Sequence, residues 1–502
     1  MKKPVALVIL DGFGYRAEQR HNAVAQAHMH HFQQWLLEYP HALLQASGTA
    51  VGLPEGTVGN SMVGHTTLGA GRIVKQPLTL LDEAIANGSF FKNSLLIERF
   101  KQLRTSGGTL HLMGLLSDGS SHSNENHLYA LLRMAHANGI THIVVHAFLD
   151  GRDVLPRSAA QYLSKLDDVL REVGCGVLGT IHGRAYAMDR NDRHEYLQKT
   201  YNVLTQPHKS QFSTWQDALE YYYEQGLTDE FIPPTTIQTN SYIKQNDGLI
   251  FFNIRADRAR ELTHLFVEEQ FPQLLWMVTG VPYGNGFHLD VLCPMPVVEH
   301  TLLDVLDGEH KSFLVIAESE KYAHVSYFFN GGRDVVHAHE SRIIIPSISF
   351  EKFTTHPEMA AIEITDTVLR SLAKNSRDFY LVNYANPDMV GHTGDFSATI
   401  KALQCIDQQL ERLYMQLVEK MGGTLFIVAD HGKAEDMFDV ATGQPRTSHT
   451  LNPVYFLMLN KAVQHKPNAL PLMGLADVTP FILTQMKLPV PMEMQAPVSD
   501  IA

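Results

Sequence analysis

The sequence is poor in cysteine, in basic charge and in long apolar runs, and each shortage excludes a class of protein. Its three cysteines, Cys175, Cys293 and Cys405, are too few and too far apart for a disulfide framework or a cysteine metal site. The formal net charge of −13 argues against general nucleic-acid binding, which needs a broad basic face. No apolar run approaches the ~18 residues that span a bilayer, and Val5 to Leu10 is too short for a signal peptide. We therefore expect a cytoplasmic protein with no membrane or nucleic-acid partner.

The chain is long and has an ordinary globular composition, with 502 residues, 44% of them hydrophobic and 19% charged. That length predicts two domains, each with its own core. We find no internal repeat and no low-complexity segment. Because the chain is acidic overall, an anionic ligand would need a local pocket of basic residues.

Polar residues follow most of the predicted strands at the point where each strand ends. Val5–Leu10 is a continuous apolar run, typical of a strand buried on both faces, and it ends in Asp11. Later runs alternate with helical patterns and predict strands at 109–116, 141–148, 177–181, 248–253, 313–317, 379–383, 424–429 and 454–458. Open α/β sheets bind ligands at the carboxyl ends of their strands, so the pattern predicts an α/β fold with its site at those ends.

The stretch from Gly59 to Arg72 places Ser61 at a turn that is followed by small residues and a short helix. Gly59 and Gly64 would let the backbone approach a ligand closely. The start of the helix would direct N–H groups and the positive end of the helix dipole at an anion. A hydroxyl in that place suits a nucleophile that becomes phosphorylated, whereas the alternative is an N-cap serine on an ordinary helix.

Acidic and imidazole side chains recur at strand ends and in loops of the C-terminal half. Asp388 and His392 are four residues apart and would share one face of a helical turn. Such side chains outnumber the usual ligands of one ion and predict a two-metal site, for which oxygen and nitrogen donors favour Mn²⁺, Mg²⁺ or Zn²⁺. The candidate ligands are Asp11, Ser61, Asp388, His392, Asp430, His431 and His449.

Five short motifs together carry a resemblance to a known family. They are Asp11-Gly12, Asn60-Ser61, the run from Asn386 to His392, the run from Ala429 to Gly432, and His449-Thr450. With these motifs the chain resembles the alkaline-phosphatase superfamily. With its middle segment it resembles, over essentially its full length, the cofactor-independent phosphoglycerate mutases.

The resemblance implies a fold and a domain organisation. An alkaline-phosphatase-like three-layer α/β domain that binds metal would comprise residues 1–76 and 311–502. An α/β phosphotransferase domain that binds the substrate would be inserted at 77–310. The expected linkers are Lys75-Gln76-Pro77, where proline disfavours a helix at the preceding residue, and the segment from Leu306 to His310.

The resemblance also implies an activity, the interconversion of 2-phosphoglycerate and 3-phosphoglycerate in glycolysis and gluconeogenesis. Two divalent metal ions, commonly Mn²⁺, would be required and bisphosphoglycerate would not, and a monomer is expected. Ser61 would be the nucleophile and carry a phosphoserine. One metal would be held by Asp388, His392 and His449, and the other by Asp11, Ser61, Asp430 and His431.

Basic residues at the ends of the middle strands would bind the substrate, because guanidinium groups clamp phosphate and carboxylate bidentately. Asp153, next to Arg152, would move protons between the two hydroxyls of the glycerate. For a lone arginine the alternative is a surface salt bridge. The substrate-binding residues that the resemblance implies are His122, Arg152, Asp153, Arg184, Arg190, Arg255, Arg258 and Lys321.

The chain departs from the family pattern at several positions near the motifs. Met62, Thr67 and Lys433 stand where Glu, Asn and Asn are expected, Ala256 stands where proline is common, and Ser120-Ser121 replaces Gly-Val. None of these changes removes a proposed ligand or the nucleophile. The alternatives are a metal-dependent phosphatase, a mutase for another sugar phosphate, and a binding protein without turnover.

Overall fold

The computed structural model describes residues 3–189, 194–268, 274–284, 286–294, 297–440, 443–465 and 470–495. The chain forms two compact units, of which unit 1 comprises Met1–Gln76 and Pro296–Ala502 and unit 2 comprises Pro77–Met295. Within the described ranges, none of the helices has the length and apolar character that a membrane crossing requires.

Strands and helices alternate through most of the chain. The strands are β1 (Val5–Leu10), β2 (His41–Leu44), β3 (Leu110–Leu115), β4 (Ile143–Leu149), β5 (Val177–Gly183), β6 (Thr235–Thr236), β7 (Gly248–Phe251), β8 (Trp276–Thr279), β9 (Asp290–Val291), β10 (Phe313–Glu318), β11 (Glu340–Ile345), β12 (Phe379–Tyr384), β13 (Thr424–Val428), β14 (Phe438–Asp439), β15 (Gln444–Pro445) and β16 (Val454–Leu459). The α-helices are α1 (Ala23–Gln26), α2 (His30–Glu38), α3 (Ser61–Ala70), α4 (Pro77–Ala86), α5 (Ser94–Ser106), α6 (Glu125–Ala137), α7 (Ala159–Val173), α8 (Arg184–Ala187), α9 (His194–Thr205), α10 (Trp215–Glu224), α11 (Arg260–Glu268), α12 (Leu302–Gly308), α13 (Ala361–Lys374), α14 (Asn386–Gly391), α15 (Phe396–Tyr414) and α16 (Val478–Gln485).

The sheet of unit 1 has the strand order β11-β10-β12-β1-β13-β16-β2. The N-terminal strand β1 lies at its centre, where Val5 pairs in parallel with Phe379 of β12 on one side and with Thr424 of β13 on the other. β16 pairs antiparallel with both β13 and β2. Strands β10 and β12 are buried along their whole length. A sheet buried on both faces needs helices on both sides, which gives the predicted three-layer α/β architecture.

The sheet of unit 2 has the order β6-β5-β4-β3-β7-β8-β9. Its pairs are parallel except for β5 with β6. Strands β3 and β4 are buried along their whole length, in keeping with the mainly apolar runs that the sequence shows there. Because β3, β4, β5 and β7 run in the same direction, the loops that follow them meet at one edge of this sheet.

The strands predicted from apolar runs are confirmed to within about two residues at their ends. Seven further strands in the described ranges were not predicted, of which β6, β9, β14 and β15 have only two residues each. β2 lies in a segment that the sequence pattern assigns to helix and connection, and β8 and β11 follow no obvious signal. β2 has only four residues, and β11 is partly exposed along most of its length at the sheet edge, so neither forms a continuous apolar run.

The predicted second boundary, after residue 310, is wrong, because unit 1 resumes at Pro296 and includes the whole of α12. The segment from Leu306 to His310, expected to be a linker, is largely the end of α12, which packs in the core of unit 1 through Leu302, Leu303 and Leu306. The sequence did carry a signal, because Thr301 and Asp304 form a capping box that starts the helix.

Candidate active site

Ser61 is the first residue of α3, at the carboxyl edge of the central strands of unit 1. The Asn60 side chain caps the helix by accepting a hydrogen bond from the backbone N–H of Val63. The helix is buried almost throughout. Gly64 allows this close packing, since a Cβ there would lie 2.5 Å from the carbonyl oxygen of Asp430. Ser61 is thus not the cap itself, as the alternative interpretation had it, but lies one residue inside the helix start.

The Ser61 hydroxyl lies among charged groups from three other segments. Its Oγ donates to Oδ1 of Asp11 at 3.0 Å and lies 3.0 Å from Nε2 of His431. Nζ of Lys321 donates to the same Oγ at 2.7 Å. The hydroxyl is therefore in contact with a carboxylate acceptor, a cationic donor and an imidazole. Ser61 is only 6% exposed, so these contacts lie in a buried environment.

Asp388, His392 and His449 direct lone pairs at one point. Nε2 of His392 and of His449 lie 3.2 and 3.3 Å from Oδ1 of Asp388, and 3.2 Å from each other. Nδ1 of His392 lies 2.7 Å from the carbonyl oxygen of Thr447, and Nδ1 of His449 lies 2.8 Å from that of Gly59. A carbonyl oxygen can only accept, so Nδ1 carries the proton in both neutral rings. Both Nε2 atoms then present lone pairs to a carboxylate oxygen that accepts no hydrogen bond.

A second group of ligand atoms lies beside Ser61. Single atoms of Asp11, Asp430 and His431 lie within 4.8 Å of one another, as do those of Asp388, His431 and His449. Gly12 shapes this group: its φ of +74° suits glycine, a Cβ there would lie 2.8 Å from Cβ of Asp388, and its N–H donates to Oδ1 of Asp430 at 3.1 Å. The two groups therefore share one buried pocket.

This donor set fits divalent cations. Oδ1 of Asp388 is buried and makes no hydrogen bond, and a buried carboxylate oxygen of this kind needs a cation or a proton. Burial opposes the charge on Asp11 and Asp388, yet Lys321 holds the pKa of both carboxyls well below the usual range. Burial likewise lowers the pKa of His431, but the Asp430 carboxylate and its neighbours raise it to about 9. The pocket thus has excess negative charge that favours cations.

Lys321 was expected to bind the substrate, and the structure places it among the candidate metal ligands. Its Nζ donates at 2.7 Å to Asp11 Oδ1, to Ser61 Oγ and to Asp388 Oδ2. Burial works against its charge, but the Asp11 and Asp388 carboxylates raise its pKa above the usual value. The ammonium group therefore links the nucleophile to both ligand groups.

Unit 2 gathers basic residues at the carboxyl edge of its own sheet. His122 follows β3 and is buried, and burial together with the positive charges of Arg184, Arg255 and Arg258 lowers its pKa to about 3. Arg255 pairs with Asp257 at 2.9 Å, and Arg258 donates to the carbonyl oxygen of Met188 at 3.1 Å. A neutral histidine among guanidinium groups forms a site suited to an anion.

Asp150 organises the loop that carries Asp153. Its Oδ1 accepts from the backbone N–H groups of Arg152 at 3.2 Å and of Asp153 at 3.0 Å, and from Arg184 Nη1 at 2.6 Å. Ser117 donates to its other oxygen at 2.7 Å. The same Nη1 of Arg184 donates to Oδ2 of Asp153 at 2.7 Å. The Arg184 guanidinium therefore bridges the carboxylates of Asp150 and Asp153.

One predicted substrate residue stands apart from this arrangement. The Arg152 guanidinium is 53% exposed and pairs with Glu230 at 3.3 Å. Arg190 lies outside the described residues.

Sequence reasoning missed several groups that support the site. Asn383, at the end of β12, donates from Nδ2 to Oδ2 of Asp11 and contacts Nε2 of His65, each at 3.0 Å. His65 in turn contacts Asp430 Oδ2 through Nδ1 at 3.1 Å. Asp150 and Glu435 were also missed. The only available signal was a polar residue within an otherwise apolar run.

Comparisons with known proteins place this site in a class. Residues 81–285 match the family model described as BPG-independent PGAM N-terminus (iPGM_N), and residues 258–439 match Type I phosphodiesterase / nucleotide pyrophosphatase. The fold and the ligand groups define a metal-dependent enzyme of the alkaline-phosphatase-like class.

Relatives and a solved structure identify the family within that class. The chain is 42% identical to a 2,3-bisphosphoglycerate-independent phosphoglycerate mutase of Legionella pneumophila (strain Corby), over 98% of this chain and 96% of that protein. It is 43% identical to the mutase of that name from Clostridium perfringens (strain SM101 / Type A), over 98% of each. A crystal structure of Leishmania mexicana phosphoglycerate mutase at low cobalt concentration matches with a TM-score of 0.76 and 30% identity, covering 99% of this chain and 97% of that one. The chain belongs to the 2,3-bisphosphoglycerate-independent phosphoglycerate mutase family.

Proposed function

We propose that this chain interconverts 2-phosphoglycerate and 3-phosphoglycerate with Ser61 as the group that accepts and returns the phosphoryl group. The family reaction is an intramolecular phosphotransfer that depends on divalent metal and needs no bisphosphoglycerate. The observation that carries the assignment is the Ser61 hydroxyl, which lies 3.0 Å from Asp11 and His431 and 2.7 Å from Lys321. Ordinary N-terminal helix serines do not have such partners.

Two Mn²⁺ ions would occupy the pocket of unit 1. One would be held by Asp388, His392 and His449, and the other by Asp11, Ser61, Asp430 and His431. His431 lies within reach of ligand atoms of both groups. Bound divalent ions lower the pKa of a coordinated hydroxyl and neutralise charge on a transferring phosphoryl group.

The protein groups around Ser61 prepare it for attack. Asp11 accepts a hydrogen bond from the Ser61 hydroxyl, which leaves a lone pair of Oγ directed away from that carboxylate. Because the pKa of Asp11 is held well below its usual range, this carboxylate orients the hydroxyl and is not the base that takes its proton. The Ser61 proton leaves to solvent before the attack. As the bond from Oγ to phosphorus forms, the bond between phosphorus and the substrate hydroxyl oxygen breaks, and that oxygen takes the proton that Asp153 removes from the other hydroxyl of the glycerate. Lys321, which donates to Oγ, stabilises the negative charge that develops there. The second half of the reaction returns the phosphoryl group to the other hydroxyl.

Unit 2 would bind the phosphoglycerate. Arg255 and Arg258 would neutralise the anionic groups of the substrate, and the neutral His122 would donate or accept a hydrogen bond. Asp153 would take a proton from one hydroxyl of the glycerate and give one to the other. The bond from Arg184 to Asp153 supports this role, because it fixes the carboxylate while leaving its other oxygen available for a proton.

We also propose that the enzyme acts as a monomer in the cytoplasm. The three cysteines are free within the chain, as a reducing compartment would keep them. Light scattering should give the mass of a single chain, 56.2 kDa.

The decisive experiment is conversion of 3-phosphoglycerate to 2-phosphoglycerate with Mn²⁺ and without bisphosphoglycerate. The Ser61→Ala variant should lose several orders of magnitude in kcat, as enzymes do when their nucleophile is removed. Ser47→Ala is a matched control, since that serine lies outside the pocket and donates to the carbonyl oxygen of Leu451. Phosphate release without 2-phosphoglycerate would instead identify a phosphatase, and near-normal turnover in Ser61→Ala would reject the assignment.

A further inference from the structure

Lys433 is a buried lysine, and no carboxylate among the described residues is bonded to its ammonium group. It is fully buried, and its Nζ donates to two backbone carbonyl oxygens, Gly391 at 3.0 Å and Arg446 at 3.1 Å. Long charged side chains are rarely buried, because removing an ammonium from water is costly unless partners replace the water. Such a group at a protein interior requires an explanation.

The three residues of this contact each belong to a segment that carries candidate metal ligands. Lys433 follows His431 by two positions, Gly391 immediately precedes His392, and Arg446 lies three positions before His449. One ammonium therefore ties together the backbones of three ligand segments that are distant in sequence. The bond from His392 Nδ1 to the carbonyl oxygen of Thr447 joins two of the same segments.

The packing around Lys433 is adapted to this contact. A Cβ on Gly391 would lie 3.2 Å from Cγ of Lys433 and 3.7 Å from its Nζ, so the lysine side chain lies directly against a position that has no side chain. The backbone N–H of Lys433 also donates to Oε2 of the buried Glu435 at 2.7 Å. Both ends of the lysine are therefore fixed, and the ammonium has little freedom to leave its carbonyl partners.

We propose that Lys433 is a positioning residue for metal binding, which holds the segments of His392, His431 and His449 at the spacing that a bound ion requires. This inference rests on the proposed metal site. It does not make Lys433 a catalytic residue, because its ammonium contacts backbone oxygens and no ligand atom. Groups that orient metal ligands typically change metal affinity by roughly 10–100-fold when they are replaced.

The positive charge of Lys433 has the opposite expected effect, since a cation beside a metal site repels the metal. Loss of positioning would lower the Mn²⁺ affinity of Lys433→Met, whereas loss of the repelling charge would raise it. The methionine side chain is close to lysine in length but has neither the charge nor the hydrogen bonds. Lys433→Gln removes the charge and keeps one donor group. If positioning dominates, affinity falls in the order wild type, Gln, Met, whereas charge repulsion alone would make both variants bind more tightly.

The test is titration of full-length, chelator-treated protein with Mn²⁺, followed by calorimetry and by the EPR signal of free Mn²⁺. We expect Lys433→Met to weaken at least one Mn²⁺-binding step by roughly 10–100-fold and Lys433→Gln to weaken it less. Lys461→Met is the matched control, because Lys461 also donates to a backbone carbonyl, that of Glu419 at 2.8 Å, but is 49% exposed. It should bind Mn²⁺ like the wild type.

Melting curves of the metal-free proteins separate positioning from a merely structural role. Lys433→Met takes the ammonium donor away from the carbonyl oxygens of Gly391 and Arg446, so metal-free Lys433→Met should melt below the wild-type temperature. A positioning role predicts in addition that the rise in melting temperature on Mn²⁺ addition is smaller than in the wild type, whereas a merely structural role leaves that rise unchanged. If Lys433→Met does not fold, Lys433→Gln carries the test. Wild-type or tighter Mn²⁺ binding by the folded variant would overturn the inference, whereas wild-type protein that binds no Mn²⁺ would overturn the metal site itself.

Discussion

Glu435 offers a sharp test of how the loops of the unit 1 pocket are held. Its carboxylate is fully buried and accepts four hydrogen bonds. Oε2 accepts from the backbone N–H groups of Gly14 at 3.1 Å and of Lys433 at 2.7 Å. Oε1 accepts from Asn452 Nδ2 at 2.9 Å and from the hydroxyl of Thr450. These donors lie in the loops that follow β1 and β13 and in the loop that precedes β16.

The Glu435→Gln variant keeps the shape of the side chain and replaces one oxygen by an amide nitrogen. The nitrogen can be accommodated only on the side of Thr450 and Asn452, since a hydroxyl can rotate and an amide can flip, whereas the two backbone N–H groups cannot change direction. All four bonds then lose the strength that a charged acceptor gives, roughly 0.5–1 kcal/mol each. We therefore expect a loss of about 2–4 kcal/mol in the stability of unit 1.

Thermal unfolding followed by circular dichroism measures this loss. At roughly 2 °C per kcal/mol for a unit of this size, the transition that responds to Mn²⁺ should fall by about 4–8 °C. Glu411→Gln is the control, because Glu411 is 44% exposed and makes one 3.4 Å contact with His31, which should be worth less than about 1 kcal/mol. A Glu435→Gln transition within about 1 °C of wild type would refute the reasoning.

Three further predictions concern chemistry and pH. Asp153→Asn should bind phosphoglycerate in a calorimeter but lose most turnover, and wild-type turnover would identify another proton carrier. A chelator should abolish activity, Mn²⁺ should restore it, and Asp388→Asn should retain less metal by elemental analysis; full activity in metal-free protein would exclude the site. His182 is fully buried, and burial lowers its pKa to about 3. Because the folded protein holds His182 neutral, its contribution to the free energy of unfolding should be complete above about pH 6.5. That contribution should be lost as pH falls toward 3, since the unfolded chain then binds a proton that the folded protein does not. The free energy of unfolding of His182→Gln should fall less than that of the wild type between about pH 6.5 and 3. The same dependence on pH in both proteins would contradict this.

The sequence predicted the strands of the fold correctly wherever a strand is buried on both faces. β1 is a continuous apolar run and β3, β4 and β12 are apolar except at one position each, and the residues that follow these strands were correctly expected at strand ends. β2 and β11 were not predicted, because a short or half-exposed edge strand has no distinctive pattern of apolar residues. α12 was misread as a linker although its capping box was visible, because Gly308 and its polar neighbours outweighed the leucines.

The site was predictable as a set of residue types and less so as a geometry. Asp11 and His431 follow strands β1 and β13, and Asp388 lies in the short helix α14, as the sequence pattern predicts. Asn383 and His65 could not be selected, because nothing near them in sequence indicates that they meet each other or Asp11. Their contacts join residues 318 and 372 positions apart. Lys321 was expected at the substrate, since a single lysine in a strand-end turn does not reveal which anions it will face.

The central position of β1 has a consequence for synthesis of the protein. Both of its neighbours, β12 and β13, come from the last third of the chain, as the pairing of Val5 with Phe379 and Thr424 shows. Unit 2 is continuous in sequence and can fold as soon as its last strand leaves the ribosome, because domains generally fold as units. Strand β1 and Ser61 must wait, with an apolar strand unpaired, until the C-terminal segment arrives. Translation arrest before residue 424 would therefore leave a folded unit 2 beside an aggregation-prone N-terminal segment that chaperones would have to protect.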